Sequence, residues 1–125
     1  MKILVVDDMP LIRHVLINML RKFQFDDLVE ATDGVQAFTL LHQQHFDLVI
    51  TDLYMPKMDG KILLKRIRDD EKLASLPVLI VTCEDSCEAV KEIIAAKVSG
   101  FIIKPFNLKV LSTKLNLIIA DANKK

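Results

Sequence analysis

Five polar residues stand at the ends of apolar runs, where a folded interior would reject them. Asp7 and Asp8 close the run 3–6, Asp52 follows 48–50, Thr82 follows 78–81, and Lys104 follows 101–103. If the runs are strands of one parallel sheet, their C-terminal ends share an edge, the usual place for a ligand. Three carboxylates crowded in a partly desolvated cleft repel one another and need a cation or raised pKa values to coexist. Oxygen ligands with no His or Cys nearby favour Mg²⁺, with Mn²⁺ as a substitute, over zinc, and Mg²⁺ uses one or two carboxylates while keeping several waters. The charges then close: Asp7, Asp8 and Asp52 against Mg²⁺ and Lys104. A divalent cation beside a lysine is the apparatus of phosphoryl transfer, in which positioning and neutralisation of oxygens do most of the catalysis. Asp52 is the expected nucleophile, since a carboxylate can carry a phosphoryl group. It stands alone on a central run, whereas Asp7 and Asp8 form a pair better placed to hold metal. Thr82 would donate its hydroxyl to a phosphoryl oxygen.

The elements that position these groups follow from hydrophobic spacing. The four runs lack polar alternation and read as strands covered on both faces. A fifth, 28–31, contains Glu30 and suits a sheet edge. Between them lie helical stretches. The first opens at Pro10, with Leu11, Val15, Met19 and Phe23 expected inward and Arg13 elsewhere. The second is capped by Asp33 and carries Ala37, Leu40 and Leu41 to about Gln43. The third starts at Asp59-Gly60, with Leu63, Leu64 and Ile67 inward and Lys61, Lys65, Arg66 and Arg68 toward water. The fourth, about 86–97, carries Val90, Ile93 and Ile94; the last, after an Asn107 cap, carries Leu108, Leu111, Leu115 and Ile118. Five βα units in succession imply an α/β sandwich with helices on both faces of one sheet, too few for a closed barrel.

Composition bounds the rest. The chain has 125 residues, 51% hydrophobic, enough for one domain (1–125) with a two-faced core. Lys plus Arg and Asp plus Glu are 17 each, so no overall charge steers the chain toward nucleic acid. No segment approaches the roughly 18 apolar residues of a membrane span, and the first run is too short for a secretion signal. No membrane insertion, a cytoplasmic location and a monomer are expected. Cys83 and Cys87 read as free thiols, His14, His42 and His45 as exposed polar residues, and Met55 and Met58 as packing around Pro56.

Four segments in order, KILVVDD, TDLYMPKMDG, PVLIVT and GFIIKPF, resemble the receiver domain of two-component response regulators over essentially the whole chain, and most closely its single-domain, CheY-like members. The resemblance implies a flavodoxin-like doubly wound sheet in the order 2-1-3-4-5. It also implies phosphorylation of Asp52 by a sensor histidine kinase or histidine phosphotransfer protein, the domain itself catalysing the transfer. It assigns direct Mg²⁺ binding to Asp8, Asp52 and the main-chain carbonyl of Tyr54, and a water-mediated part to Asp7. Lys104 would bridge toward the phosphoryl group. Thr82 and Phe101 would be the switch pair, altering the surface of the fourth helix, fifth strand and fifth helix for a phosphorylation-dependent protein target.

Tyr54 and Glu84 occupy the positions that tune phosphate loss in that family. Pro56, Gly60 and Pro105 are structural, and a cis peptide before Pro105 would be a local constraint. The chain departs from the family pattern at Cys83, where a small residue is usual, and at Lys97, where a glycine often closes the fourth helix. Within the family, a chemotaxis regulator, a phosphorelay shuttle and the receiver part of a larger regulator are all compatible. Outside it, a phosphatase of the haloacid-dehalogenase type would want an acid where Tyr54 stands. A flavin carrier would want a hydroxyl- and glycine-rich loop where the chain has Asp7-Asp8-Met9-Pro10.

Overall fold

The runs 3–6, 48–50 and 78–81 form strands covered on both faces, which is why they do not alternate with polar residues. The run 101–103, expected to be covered likewise, lies at a sheet edge with only Ile102 buried and Ile103 exposed. The computed structural model describes residues 1–83 and 86–122. The described elements run β1 (Lys2–Val6), α1 (Pro10–Lys22), β2 (Asp27–Ala31), α2 (Gly34–Gln43), β3 (Leu48–Asp52), α3 (Gly60–Asp69), β4 (Val78–Thr82), α4 (Cys87–Ala95), β5 (Gly100–Ile103) and α5 (Leu108–Ala122). All pairings are parallel and the strand order is β2-β1-β3-β4-β5. The expected flavodoxin-like topology is therefore present.

The two core clusters separate by strand parity. Leu4, Val6, Val49, Val78 and Ile80 face α2, α3 and α4 through Leu41, Leu63, Leu64, Ile67 and Ile93. Ile3, Val5, Leu48, Ile50, Leu79 and Val81 face α1 and α5 through Leu16, Ile17, Leu20, Leu111, Leu115 and Ile118. Four helix starts carry side-chain caps: Asp33 accepts from Gln36 N at 2.8 Å, Asp59 from Ile62 N at 2.9 Å, Ser86 from Ala89 N at 3.2 Å and Asn107 from Val110 N at 2.9 Å. Such a cap contributes about 1 kcal/mol.

Helix α1 departs from its expected orientation. Leu11 is 72% exposed and Val15 is exposed, whereas Leu16, Ile17 and Leu20 are buried. Apolar residues occur on nearly every side of this helix, so spacing alone does not choose the buried face; the sheet does. The same rotation turns Arg13 inward, one turn before Leu16 and Ile17, leaving its side chain 11% exposed. In α4, Ile93 is buried and Ile94 exposed.

Arg68 of α3 was also expected to face water and instead ties three segments together. Its Nε donates to Lys97 O at 2.8 Å, Nη1 to Leu76 O at 2.6 Å and Ala74 O at 3.2 Å, and Nη2 to Ser99 Oγ at 3.2 Å. Lys97 ends α4 in the left-handed region, with φ 64°. Lys97 N reaches Ile94 O and Val98 N reaches Ile93 O, the paired closure usually made with glycine.

Candidate functional site

The C-terminal ends of β1, β3, β4 and β5 bring the five expected residues to one edge. Asp52 and Thr82 are the last residues of their strands. Asp7 is 1% exposed. Every polar group of Asp7 is engaged: N donates to Ala31 O at 3.1 Å, O accepts from Arg13 Nη1 at 2.8 Å, Oδ1 accepts from Met9 N at 2.9 Å, and Oδ2 lies 3.8 Å from Lys104 Nζ. Asp52 Oδ1 accepts from Leu53 N at 2.8 Å and lies 3.7 Å from the same ammonium. Asp8 is exposed, with no hydrogen bond or ion pair among the described residues.

Carboxylate oxygens of Asp7, Asp8 and Asp52 lie within 4.8 Å of one another. Burial pushes the Asp52 carboxyl above its usual range. Lys104 and the Leu53 N–H oppose this, while Asp7 and Asp8 reinforce it. Asp7 is also raised, chiefly by burial, against the Met9 N–H, Lys104 and Arg13, with Asp8 adding to the rise. Three carboxylates against one ammonium leave two negative charges unmatched. The set is all oxygen, and one carboxylate is exposed without a protein partner. These residues fit a hard divalent cation such as Mg²⁺.

The loop after Asp52 is fixed by main-chain contacts. Gly60 N donates to Leu53 O at 2.7 Å, Met58 N to Pro56 O at 2.8 Å and Gly34 N to Met58 O at 3.1 Å. A Cβ on Gly60 would stand 2.2 Å from the carbonyl oxygen of Asp52, so only glycine permits this approach. Tyr54 is 55% exposed. Lys104 N donates to Thr82 O at 2.8 Å, tying the lysine's strand end to that of the threonine, and the Lys104–Pro105 peptide is cis. Thr82 is buried. Phe101 is half-buried, packed against the α2–α3–α4 side of the core, with Lys114 Nζ 5.8 Å from its ring centre. Glu84 lies outside the described residues.

Residues 3–116 match the family described as the response regulator receiver domain. The chain belongs to that family. Among relatives of this receiver, the chemotaxis protein CheY of Pseudomonas aeruginosa is 42% identical over 98% of the chain and 99% of its own length. Chemotaxis protein CheY-3 of Vibrio cholerae is 46% identical over 94% and 91%. Among solved structures, the chemotaxis protein CheY4 of Vibrio cholerae superposes with a TM-score of 0.85 at 32% identity, covering 94% of the receiver and 97% of that chain. The receiver domain of a histidine kinase from Syntrophus aciditrophicus gives 0.86 at 28% identity, covering 95% and 90%.

The sequence located all five residues at this edge. It did not bring Arg13 to the edge, because Arg13 lies off the expected apolar stripe of Leu11, Val15, Met19 and Phe23. No local signal marked it, because apolar residues surround α1 and the sheet selects the face that carries Leu16, Ile17 and Arg13 inward.

Proposed function

We propose that the receiver takes a phosphoryl group onto Asp52 from a phosphohistidine of a sensor kinase or histidine phosphotransfer protein, and thereby changes its affinity for a protein target. The observation that carries this reading is the Lys104 ammonium poised 3.7 Å from Asp52 and 3.8 Å from Asp7 at the edge where the three carboxylates meet. Leu53 N occupies Oδ1 of Asp52, while Oδ2 has no hydrogen bond among the described residues and is the attacking atom. As its O–P bond forms, the P–N bond breaks and the imidazole nitrogen keeps the electron pair and takes a proton. Asp8, Asp52 and the Tyr54 carbonyl would hold Mg²⁺ directly, and Asp7 through water. When bound, the ion supplies charge neutralisation at the transferring oxygens.

Lys104 pairs with a phosphoryl oxygen, and Thr82 donates its hydroxyl to another. Because Lys104 N is bonded to Thr82 O, both groups respond at one place. Phe101 follows Thr82, and the surface of α4, β5 and α5 changes with them, a two-state element biased by one charge event. No turnover of an outside substrate is expected: the acid that a haloacid-dehalogenase-type phosphatase would use is replaced by Tyr54. Tyr54, two residues after the acceptor and exposed, would shield the acyl phosphate from water. Tyr54→Asn should therefore shorten the phosphate lifetime, and an unchanged lifetime would remove this role.

A stand-alone chemotaxis regulator acting in the cytoplasm is the favoured setting, because the chemotaxis relatives align over 91–99% of their own lengths. A receiver within a larger regulator, or a relay shuttle, is the second reading, favoured by the likeness to a receiver domain carried by a histidine kinase. Phosphotransfer profiling against the histidine kinases and phosphotransfer proteins of the same cell tests the reading, with Asp52→Asn as control. Absence of Asp52-dependent labelling, even by a small phosphodonor with Mg²⁺, refutes it.

A further inference from the structure

Asp8 is the exposed carboxylate of the acidic trio, and no protein group holds its side chain among the described residues. Its placement therefore rests on the main chain that carries it and on its own rotamer. The carbonyl of Asp7 and the N–H and Cα of Asp8 belong to one rigid peptide plane, so whatever fixes that carbonyl fixes the point from which the Asp8 side chain departs. Arg13 Nη1 donates to this carbonyl at 2.8 Å, and Arg13 Nε donates to Glu30 Oε1 on β2 at 2.7 Å. Two separated donors on one planar guanidinium make a grip that a single ammonium cannot reproduce. The same edge strand also receives the Asp7 N–H, through Ala31 O. The Asp7–Asp8 peptide is thus pinned from both sides of Asp7.

We propose that Arg13 is a positioning residue for the cation site, presetting the Asp8 carboxylate through its two-point grip on the Asp7 carbonyl and Glu30. This rests on the reading of Asp7, Asp8 and Asp52 as the Mg²⁺ site. Charge and geometry predict opposite signs here, which makes the two separable. A guanidinium near a cation site opposes the incoming ion, so a purely electrostatic Arg13 would tighten Mg²⁺ binding when removed. A positioning Arg13 weakens it.

The test is Mg²⁺ titration of the unphosphorylated protein, followed by amide NMR shifts at a temperature where every variant is folded. Asp8→Asn serves as the reference for a broken site. Arg13→Met should raise the dissociation constant about tenfold, the scale found when a group orienting a metal ligand is lost. Arg13→Lys, which keeps the charge but not the fork, should fall between that value and the wild type. An unchanged or lower dissociation constant in Arg13→Met overturns the proposal. If Arg13→Met does not fold, Arg13→Lys carries the test, and a wild-type value there overturns it equally. Failure of the wild-type protein itself to bind Mg²⁺ would instead overturn the site reading on which the proposal stands.

Discussion

Replacing Asp8 by Asn should make the metal-free protein more stable. Asp8 opposes two other carboxylates whose oxygens lie within 4.8 Å. At that distance a like-charged pair repels by about 0.9 kcal/mol at an effective dielectric of about 80, and by about 1.7 kcal/mol at about 40. Two pairs give about 2–3 kcal/mol. Lys104, which pairs with Asp7 and Asp52, offsets roughly half of this by the same Coulomb estimate, leaving about 1–2 kcal/mol.

Urea unfolding in EDTA, wild type against Asp8→Asn, reads the difference directly as a shift in midpoint at constant slope. Thermal unfolding should show a rise of about 3–6 °C per kcal/mol for a domain of this size. The gain should shrink in high salt, because Asp8 is exposed and screened. Adding Mg²⁺ at ten times its dissociation constant should stabilise the wild type by about 1.4 kcal/mol and the variant much less, closing the gap. If Asp8→Asn in EDTA is no more stable than wild type, the trio is not under mutual repulsion and the charge reasoning fails.

Three further outcomes follow from the geometry. Gly60→Ala drives a Cβ to 2.2 Å from the Asp52 carbonyl oxygen and should cost about 2–3 kcal/mol by overpacking against main chain; a normal urea midpoint with normal Asp52 labelling would contradict this. Lys97→Gly relieves a side chain at φ 64°, and the left-handed cost minus the entropy cost of glycine leaves a gain of about 0.5–1 kcal/mol, so a lowered midpoint would count against strain at this turn. His42 Nδ1 bonds Phe38 O at 2.9 Å and Nε2 bonds Asp70 at 2.8 Å. The carbonyl first, and Asp70 next, raise the imidazole above its ordinary 6.5. That stabilisation is complete below pH 6.5 and lost as pH rises through the folded-state value, so stability should fall over this window in wild type and stay flatter in His42→Gln.

The parallel α/β class was legible because residues such as Val49 and Ile80 are apolar on strands covered from both sides, and because Asp7, Asp52 and Thr82 interrupt those runs at one edge; the strand order came only through the family likeness. Cap residues were legible for a local reason: Asp33 and Asn107 act on main chain three positions away. What escaped was rotation about a helix axis. In α1 the apolar residues surround the helix, so the sheet rather than the spacing selected Leu16, Ile17 and Leu20, and with them Arg13. Arg68 escaped for a related cause, since its partners Lys97 and Ser99 are distant in sequence, and all its partners, Leu76 included, offer carbonyls or a hydroxyl rather than a carboxylate that charge pairing would suggest. Tyr54 and Phe101 could be assigned roles only through the family likeness, because a half-exposed aromatic at a strand end carries no chemistry by type alone.

The Arg68 tie gives α4 the mechanics of a lever. Its C-terminal end is clamped where Lys97 O meets the guanidinium, while near its middle Glu92 reaches Lys61 of α3 at 2.5 Å through an exposed ion pair that costs little to break. Nine residues separate the clamp from the end that follows β4, a span of roughly 13 Å at 1.5 Å per residue. A displacement of α4 on phosphorylation would then be least at Lys97 and greatest at Cys87, with the fulcrum at the clamped end.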